Sequence, residues 1–346
     1  MDQEYTQRLE RIEAALDRWL PENIEIDWVE EIFPGLKKKP GPEPLIVLVT
    51  PLRDILSRGG KRWRPLLMTL VCESLEGGDA AIPLTPLVEL CHNASLIHDD
   101  IEDNSNERRG KPSVHKLYGL DTAINSGSFL YFLSLSCIES CAIDNKIFIY
   151  KLWAEYMRKL HLGQAMDINW HRNILFVPSI EEYYEMCALK TGCLSRFAVE
   201  LGAYAAGASE DTARQLGEAA EKLGIGFQIL DDVKNLTTGV PGKKRGDDLI
   251  EGKKSLPILL YLHKYPEKRK SFFYSVNAAR TKGIDASEVE ELIRSLEGSG
   301  ALAEAAKEGQ AYITEARNFF NVEKHDGFLM NDKCRALIAG LFDLIS

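Results

Sequence analysis

The sequence contains the stretch Ala94-Ser95-Leu96-Ile97-His98-Asp99-Asp100-Ile101-Glu102-Asp103, in which four acidic residues come after an apolar helical run. On a helix, the carboxylates of Asp99 and Asp103 lie on one face, one turn apart. A second stretch, Asp231-Asp232-Val233-Lys234-Asn235, repeats this spacing of oxygen-bearing side chains. Neighbouring carboxylates repel each other, and a divalent cation relieves that repulsion. Because Mg²⁺ usually takes one or two carboxylates together with waters and substrate phosphates, the pair of stretches predicts a metal-dependent diphosphate site.

The alternative interpretation is that each acidic cluster is a solvated helix face. The chain has 52 Asp and Glu residues, and one cluster alone would fit that alternative. The repeated spacing, with basic residues downstream of each cluster, favours metal binding.

Composition excludes several other classes of function. The chain has 346 residues, 45% of them hydrophobic, which is enough for a large core. A net charge of −10 argues against a nucleic-acid partner or an anionic membrane surface. The longest apolar run, 129–138, is too short to span a bilayer, and the first twenty residues lack the apolar segment of a secretory signal. Seven cysteines without framework spacing suit the cytoplasm. To Cys137 and Cys141, one helical turn apart, we assign no chemistry.

Helical periodicity runs through the whole chain. Tyr5, Leu9, Ile12, Leu16 and Trp19 recur at spacings of four and three and predict an N-terminal helical segment over residues 1–33. A segment rich in Pro and Gly, 34–44, predicts a loop. No stretch shows sustained period-two alternation. We therefore predict a single all-α domain over 1–346, a large helical bundle whose central catalytic cavity both acidic clusters line.

Several basic and polar segments supply partners for phosphate. Each taken alone is also explained as ordinary surface charge, but together they surround the acidic clusters with cations. They are Gly59-Gly60-Lys61-Arg62-Trp63-Arg64-Pro65, Arg108-Arg109-Gly110, Lys190-Thr191-Gly192, Phe227-Gln228, the loop Gly242 to Asp248, and Glu251-Gly252-Lys253-Lys254.

From about Gly59 to Pro257 these motifs resemble the trans-isoprenyl diphosphate synthases, the polyprenyl synthase family. His92 to Ser105, Gly163 to Trp170 and Lys190 to Leu194 look most like geranylgeranyl diphosphate synthases of eukaryotic type. The resemblance implies the isoprenoid synthase fold, Mg²⁺ as cofactor, small-molecule diphosphate substrates and a homodimer.

The resemblance also implies a role for each matching residue. Asp99, Asp103 and Asp231 would hold Mg²⁺ on the allylic diphosphate, and the catalytic set would be completed by Asp100, Asp232 and Lys190. The allylic diphosphate would be bound by Arg108, Lys190, Thr191, Gln228, Lys243 and Lys253. Isopentenyl diphosphate would be bound by Lys61, Arg64, His92 and Arg109.

Two positions bear on activity and product length. The family's commonest second motif ends in Asp, whereas residue 235 is Asn, so the second metal-binding face carries less charge. Ser95 and Ala94, four and five residues before Asp99, are small, and bulky aromatics there would stop chain growth at fifteen carbons. Further along, Tyr131, Phe132 and His161 correspond by resemblance to residues that cap the tunnel of geranylgeranyl synthases, although ordinary core packing explains these side chains equally well.

The sequence therefore predicts a prenyltransferase that condenses isopentenyl diphosphate with an allylic diphosphate, with geranylgeranyl diphosphate as product. A farnesyl or longer-chain product is one alternative. A class I terpene cyclase is another, but the cyclase motif has Glu where this chain has Gly242, although Asn235 and Thr238 match it. A non-catalytic partner subunit is the third, and it would be expected to have lost metal ligands that this chain retains.

Overall fold

The computed structural model describes residues 3–239, 245–325 and 327–345, and this part of the chain is predominantly helical. The α-helices are, in chain order, α1 (Gln3–Trp19), α2 (Ile26–Ile32), α3 (Pro42–Ser57), α4 (Trp63–Ser74), α5 (Thr85–Glu102), α6 (Val114–Tyr118), α7 (Leu120–Ser134), α8 (Ser136–Ser140), α9 (Lys146–Arg172), α10 (Ile180–Cys187), α11 (Cys193–Ala205), α12 (Glu210–Thr237), α13 (Asp247–Glu251), α14 (Leu256–Lys264), α15 (Arg269–Lys282), α16 (Ser287–Ser299), α17 (Ala301–Asn321) and α18 (Asp332–Ile345). The predicted all-α fold class is confirmed.

Three single turns of other helix types occur between these helices. Ile82–Leu84 and Pro266–Lys268 are 3₁₀ turns, and Ala188–Gly192 is a π-helical turn between α10 and α11. π-helical turns are often found at functional sites. The turn Ala188–Gly192, which contains Lys190, is therefore a candidate part of the functional site.

Sheet structure in the described ranges is limited to two short hairpins. Strand β1 (Glu107–Arg108) pairs antiparallel with β2 (Lys111–Pro112), and β3 (Lys324–His325) pairs antiparallel with β4 (Phe328–Leu329). The first hairpin follows directly on α5 and carries the basic pair Arg108-Arg109.

The apolar stripe predicted for the first helix is buried, except that Arg8 takes the buried position predicted for Leu9. Tyr5, Ile12, Leu16 and Trp19 are buried, but Arg8 is also buried whereas Leu9 is only half-buried. Ion pairs with Glu73 and Glu4 satisfy the buried Arg8 guanidinium, which periodicity alone could not reveal.

The Pro-rich loop is shorter than predicted, because α3 already begins at Pro42. Two of its prolines, Pro42 and Pro44, lie in the first helical turn, where backbone N–H groups have no intrahelical acceptor, so a missing N–H costs nothing there. Pro42 and Pro44 therefore start the helix where we had predicted that they end the loop.

The chain divides into two compact units. Unit 1 comprises Met1–Trp153, Phe197–Arg214 and Glu323–Leu341, and unit 2 comprises Ala154–Arg196, Gln215–Val322 and Phe342–Ser346. In unit 1, α5 packs extensively against α7. The approach is close at Gly127, where an added Cβ would lie 2.8 Å from Cε1 of His98. This packing fixes the helix that carries the first acidic cluster.

In unit 2, two apolar clusters support the second half of the predicted site. One joins α9, α10, α12, α14 and α17, and its fully buried members include Tyr183, Cys187 and Ile229. The other joins the end of α12 to α13, α14, α15, α16 and the start of α17. Both clusters hold α12, the helix with the second acidic cluster.

Among the residues described, no helix combines the length and the apolar character that crossing a membrane requires.

Candidate active site

The first acidic cluster divides into an accessible face and a buried carboxylate. At the end of α5, Asp99 and Asp103 are partly exposed, with 20% of the Asp99 side chain accessible. Asp100, between them in the sequence, is fully buried. The predicted pair one turn apart is therefore the pair that an incoming metal ion can reach.

Asp100 holds an arginine in place. Its Oδ1 accepts hydrogen bonds from Nε of Arg108 at 2.9 Å and from Nη2 at 2.5 Å, and the same Nη2 lies 3.3 Å from Asp99. Burial lowers the pKa of Arg108, but the charges of Asp100 and Asp99 outweigh this and raise it. Arg108 therefore remains a cation beside the accessible carboxylate face.

Arg109 turns in a different direction from Arg108. It adopts a left-handed conformation with φ of 53°, and its Nη1 donates to the carbonyl oxygens of Gly59 and of Ile55, the latter at 3.5 Å. Nη2 of Arg109 would lie only 2.9 Å from a Cβ at Gly60. The absence of a side chain at Gly60 thus lets the Arg109 guanidinium reach the backbone at the end of α3.

Of the predicted isopentenyl diphosphate ligands, His92 lies within a cluster of basic residues of unit 1 that includes Arg64 and Arg109. Arg64 is buried with its guanidinium 4.4 Å from the Trp63 ring centre, whereas Lys61 is exposed. Burial lowers the pKa of His92 well below its ordinary value, and the charges of Arg64 and Arg109 lower it further. A neutral imidazole among arginines can donate a hydrogen bond to phosphate without adding another charge.

The second acidic cluster, on α12, does not reproduce the first. Asp231 is partly exposed, but both Asp232 and Asn235 are buried. The Asn235 Oδ1 accepts a hydrogen bond from the backbone N–H of Asp248 at 3.4 Å, at the start of α13. The side-chain oxygen that sequence reasoning assigned to the metal-binding face is instead engaged with the following helix.

A hydrogen-bonded chain fixes both oxygens of Asp232. The Tyr183 hydroxyl donates to Oδ2 at 2.7 Å, and the Gln228 amide donates to Oδ1 at 2.9 Å. The Gln228 carbonyl oxygen in turn accepts from the Thr191 hydroxyl at 2.7 Å. Thr191 and Gln228, predicted diphosphate ligands, thus contact each other here.

Burial raises the pKa of Asp232 to about 7, and the carboxylates of Asp248 and Asp231 contribute to this rise. The hydrogen bonds from Tyr183 and Gln228 oppose it. Tyr183 is a residue that sequence reasoning missed: it is fully buried, whereas its neighbour Tyr184 is only half-buried, and no local pattern distinguishes the two.

Lys190 lies on the π-helical turn and pairs with a buried carboxylate. Its Nζ is 2.6 Å from Oδ2 of Asp167 on α9. At Gly163, one turn before Asp167, an added Cβ would lie 2.4 Å from the backbone nitrogen of Lys190. Gly163 therefore lets α9 approach the turn closely enough for the ion pair to form.

The remaining predicted phosphate ligands follow α12. Lys253 pairs with Glu251 at 2.7 Å, and Lys243 lies outside the described residues. The adjacent Lys254 belongs to the same predicted basic segment but was assigned no role of its own; it is buried and donates to the Gly252 carbonyl at 2.9 Å. Burial lowers the pKa of Lys254 to about 8.

The residues expected to set product length have different environments. Ala94 is fully buried and Ser95 is partly exposed. Tyr131 is buried and stacks on His98 at 5.8 Å, but Phe132 is 65% exposed, so core packing does not explain it. His161 is also exposed, and its Nδ1 lies 2.8 Å from the Met157 carbonyl oxygen.

The donor set fits Mg²⁺ better than a metal held entirely by protein. Within the described ranges, no group of three or more His, Cys, Asp or Glu side chains could hold a metal ion. Mg²⁺ does not require such a cage, because it binds through one or two carboxylates and completes its octahedron with waters and substrate phosphates. The accessible carboxylates of Asp99 and Asp103 match this pattern.

The chain is similar in sequence and in fold to several known proteins. Residues 46–296 match the family model described as polyprenyl synthetase. A short chain isoprenyl diphosphate synthase of Methanocaldococcus jannaschii is 36% identical over 71% of this chain and 75% of its own length. A geranylgeranyl pyrophosphate synthase of Penicillium canescens is 34% identical over 79% of each chain. The crystal structure of a geranylgeranyl pyrophosphate synthetase from Pyrococcus horikoshii superposes with a TM-score of 0.81 and 26% identity, over 99% of this chain and 96% of that one.

Proposed function

The chain belongs to the polyprenyl synthetase family, and on that premise we propose that it is a Mg²⁺-dependent trans-prenyltransferase. It condenses isopentenyl diphosphate with an allylic diphosphate and releases pyrophosphate. The observation that carries this proposal is the combination, within unit 1, of the accessible carboxylates Asp99 and Asp103 with a cluster of arginines around His92. A substrate for such a site is an anion that also ligates metal.

The first half of the reaction breaks the bond between C1 of the allylic substrate and its diphosphate oxygen. By the resemblance, Asp99, Asp103 and Asp231 would hold Mg²⁺, which when bound would offset the charge that develops on the departing pyrophosphate. Arg108, fixed by Asp100, adds a cation beside the first pair. Lys190, which Asp167 holds within unit 2, is another cation that the resemblance assigns to the allylic diphosphate.

The second half forms the new carbon–carbon bond. Lys61, Arg64, His92 and Arg109 bind isopentenyl diphosphate, whose double bond attacks the allylic cation at C1. Loss of a proton from C2 of the isopentenyl unit restores a double bond, and the released pyrophosphate accepts that proton. Water must be excluded while the cation exists, because water would otherwise quench it.

We propose geranylgeranyl diphosphate, with twenty carbons, as the product. The small side chains of Ala94 and Ser95 support this length, since neither blocks a growing chain beside α5. Because Ala94 is fully buried, Phe at that position would have to displace packed neighbours, and Ser95→Phe is the cleaner variant. We expect Ser95→Phe to shorten the main product to fifteen carbons, and Tyr131→Ala combined with Phe132→Ala to lengthen it.

Chromatography of the products is the corresponding measurement. The unmodified protein is supplied with isopentenyl diphosphate and allylic diphosphates of five, ten and fifteen carbons, with Mg²⁺ and with chelator. A main product of fifteen carbons, or of twenty-five and more, would contradict the proposed length. A cyclised hydrocarbon would identify a terpene cyclase, and no turnover with Mg²⁺ would indicate a non-catalytic subunit.

We further propose a homodimer in which a second copy covers an apolar face of α7. Leu120, Ile124 and Phe132 on that helix are 54%, 45% and 65% exposed. Exposed apolar side chains clustered on one helix commonly mark an interface. An isologous contact uses the same face of both copies, so each of these side chains would be buried in both.

Sedimentation velocity is expected to find a dimer for the unmodified protein and a monomer for Phe132→Glu. Tyr274→Glu is the matched control, since Tyr274 is an aromatic residue of unit 2 with 62% exposure. A monomeric unmodified protein at micromolar concentration would refute the proposed dimer.

We propose that residues 1–346 act as one synthase domain and that it works in the cytoplasm. The similarity to the P. horikoshii structure extends over 99% of the chain, which supports a single functional domain. All seven cysteines are free thiols and buried, which is consistent with a reducing compartment.

A further inference from the structure

A buried ion pair lies next to the basic cluster around His92 in unit 1. Arg62, in the left-handed conformation with φ of 46° just before α4, is 5% exposed, and Glu89 on α5 is 2% exposed. Nη1 of Arg62 donates to Oε1 of Glu89 at 2.8 Å. Arg62 belongs to a basic segment predicted to contact phosphate but was assigned no individual role, and Glu89 was assigned none.

The Arg62 guanidinium is bonded on its other sides as well. Nη2 donates to the Leu56 carbonyl oxygen at 2.8 Å, at the end of α3, and Nε donates to Glu13 of α1 at 2.8 Å. The pair therefore anchors the Gly59–Arg64 segment to α3 and α5. That segment carries Lys61 and Arg64, two of the proposed isopentenyl diphosphate ligands.

Glu89 also determines how the next turn of α5 meets Arg109. Oε1 of Glu89 accepts a hydrogen bond from Nδ2 of Asn93 at 2.9 Å, and Asn93 is fully buried. Because Nδ2 faces the carboxylate, the amide oxygen faces away, and it lies 3.4 Å from Nη1 of Arg109. The contacts run in sequence from Arg62 through Glu89 and Asn93 to Arg109.

A contribution to the stability of the fold does not explain well why the Arg62–Glu89 ion pair is buried here. Desolvation of both charges offsets much of the attraction in a buried ion pair, and apolar residues of similar volume often serve a fold equally well. A buried carboxylate does have one clear use at this place. It allows several arginines to be held close together before any anionic substrate arrives, in positions that the substrate then needs.

We infer that Glu89 is a positioning residue for the isopentenyl diphosphate half of the site, acting through Arg62 on the Gly59–Arg64 segment and through Asn93 on Arg109. This inference rests on the proposed function. Glu89 itself is too deeply buried to contact substrate, so it acts only through the residues that it positions. Because these are proposed ligands of isopentenyl diphosphate, its effect is confined to the affinity for that substrate.

The test compares the two substrates in Glu89→Gln, which keeps the size of the side chain and removes its charge. We expect the KM for isopentenyl diphosphate to rise at least tenfold while the KM for the allylic substrate changes less than twofold. Calorimetric titration with isopentenyl diphosphate should give the same loss of affinity. Because titration requires no turnover, it still reports on Glu89 if the protein proves not to be a prenyltransferase.

Three further variants separate positioning from a general effect on folding. Glu13→Gln removes the other carboxylate that is bonded to Arg62. The Glu13 side chain is 45% exposed, and this variant is expected to change both KM values less than twofold. Asn93→Ala keeps the ion pair but removes the contact with Arg109, and is expected to raise only the isopentenyl diphosphate KM. In an Arg109→Ala background, Glu89→Gln should cost clearly less affinity than in the unmodified protein.

The outcomes that would overturn the inference are distinct. A folded Glu89→Gln protein that keeps its isopentenyl diphosphate affinity within twofold would do so, as would equal shifts in both KM values. If Glu89→Gln does not fold, as judged by circular dichroism, Asn93→Ala decides: unchanged affinity in that variant refutes the link to Arg109.

Discussion

Asp99→Ala and Asp103→Ala are each expected to lower kcat about a hundredfold or more while leaving the helical fold intact. The lost carboxylates are the accessible pair at the end of α5, so they contribute little to packing. What each variant loses is a ligand for the metal that offsets charge on the leaving pyrophosphate. Turnover measured over a series of Mg²⁺ concentrations, together with circular dichroism and thermal unfolding, checks both parts of this expectation.

Two neighbouring carboxylates provide the comparison. Glu102→Ala removes an exposed acid from the same cluster and should leave kcat within twofold. Asp100→Ala should instead lower the free energy of unfolding by about 3–5 kcal/mol, because it leaves Arg108 without its buried partner. Near-normal turnover of Asp99→Ala at saturating Mg²⁺ would mean that the metal site lies elsewhere.

The sequence was sufficient for the family, the all-α class and the accessible pair Asp99 and Asp103, because these follow from periodicity and short-range motifs. The sequence was not sufficient to predict the orientation of the Asn235 side chain. Whether that side chain faces a metal or the next helix depends on where α13 packs, and α13 begins twelve residues later. Phe132 illustrates the same difficulty: an aromatic residue in an apolar helix looks like core, yet it is 65% exposed.

The two hairpins differ in how far they could be predicted. The strands of the first are joined by Arg109-Gly110, both with positive φ, of 53° and 74°. Arginine seldom adopts that conformation, so no turn signal appears, and tertiary bonds from Arg109 to α3 hold it there. Between the strands of the second, the sequence has Asp326-Gly327, which is a strong hairpin signal. Period-two alternation does not detect this hairpin, because strands of two residues are too short to alternate.

The ion pair between Lys190 and Asp167 depends on a residue that has no side chain. A Cβ at Gly163 would lie 2.4 Å from the Lys190 nitrogen and 2.7 Å from the Leu189 carbonyl carbon, distances that real Cβ atoms do not show. These are backbone atoms of the π-helical turn, so no side-chain rotation can relieve the clash. Either α9 or the turn must move.

We therefore expect Gly163→Ala to lower the free energy of unfolding by about 2 kcal/mol or more and to reduce turnover, because the shift separates Lys190 from Asp167. Gly298→Ala is the matched control: Gly298 is also helical and has no atom within 4 Å of its added Cβ. Alanine there should raise the free energy of unfolding by about 0.5–1 kcal/mol, through helix propensity alone. Urea denaturation of both variants, with kcat measured in parallel, decides the matter. Equal stabilities for the two would mean that α9 and the π-helical turn are not in contact at Gly163, and the role of Gly163 in placing Lys190 beside Asp167 would then be refuted.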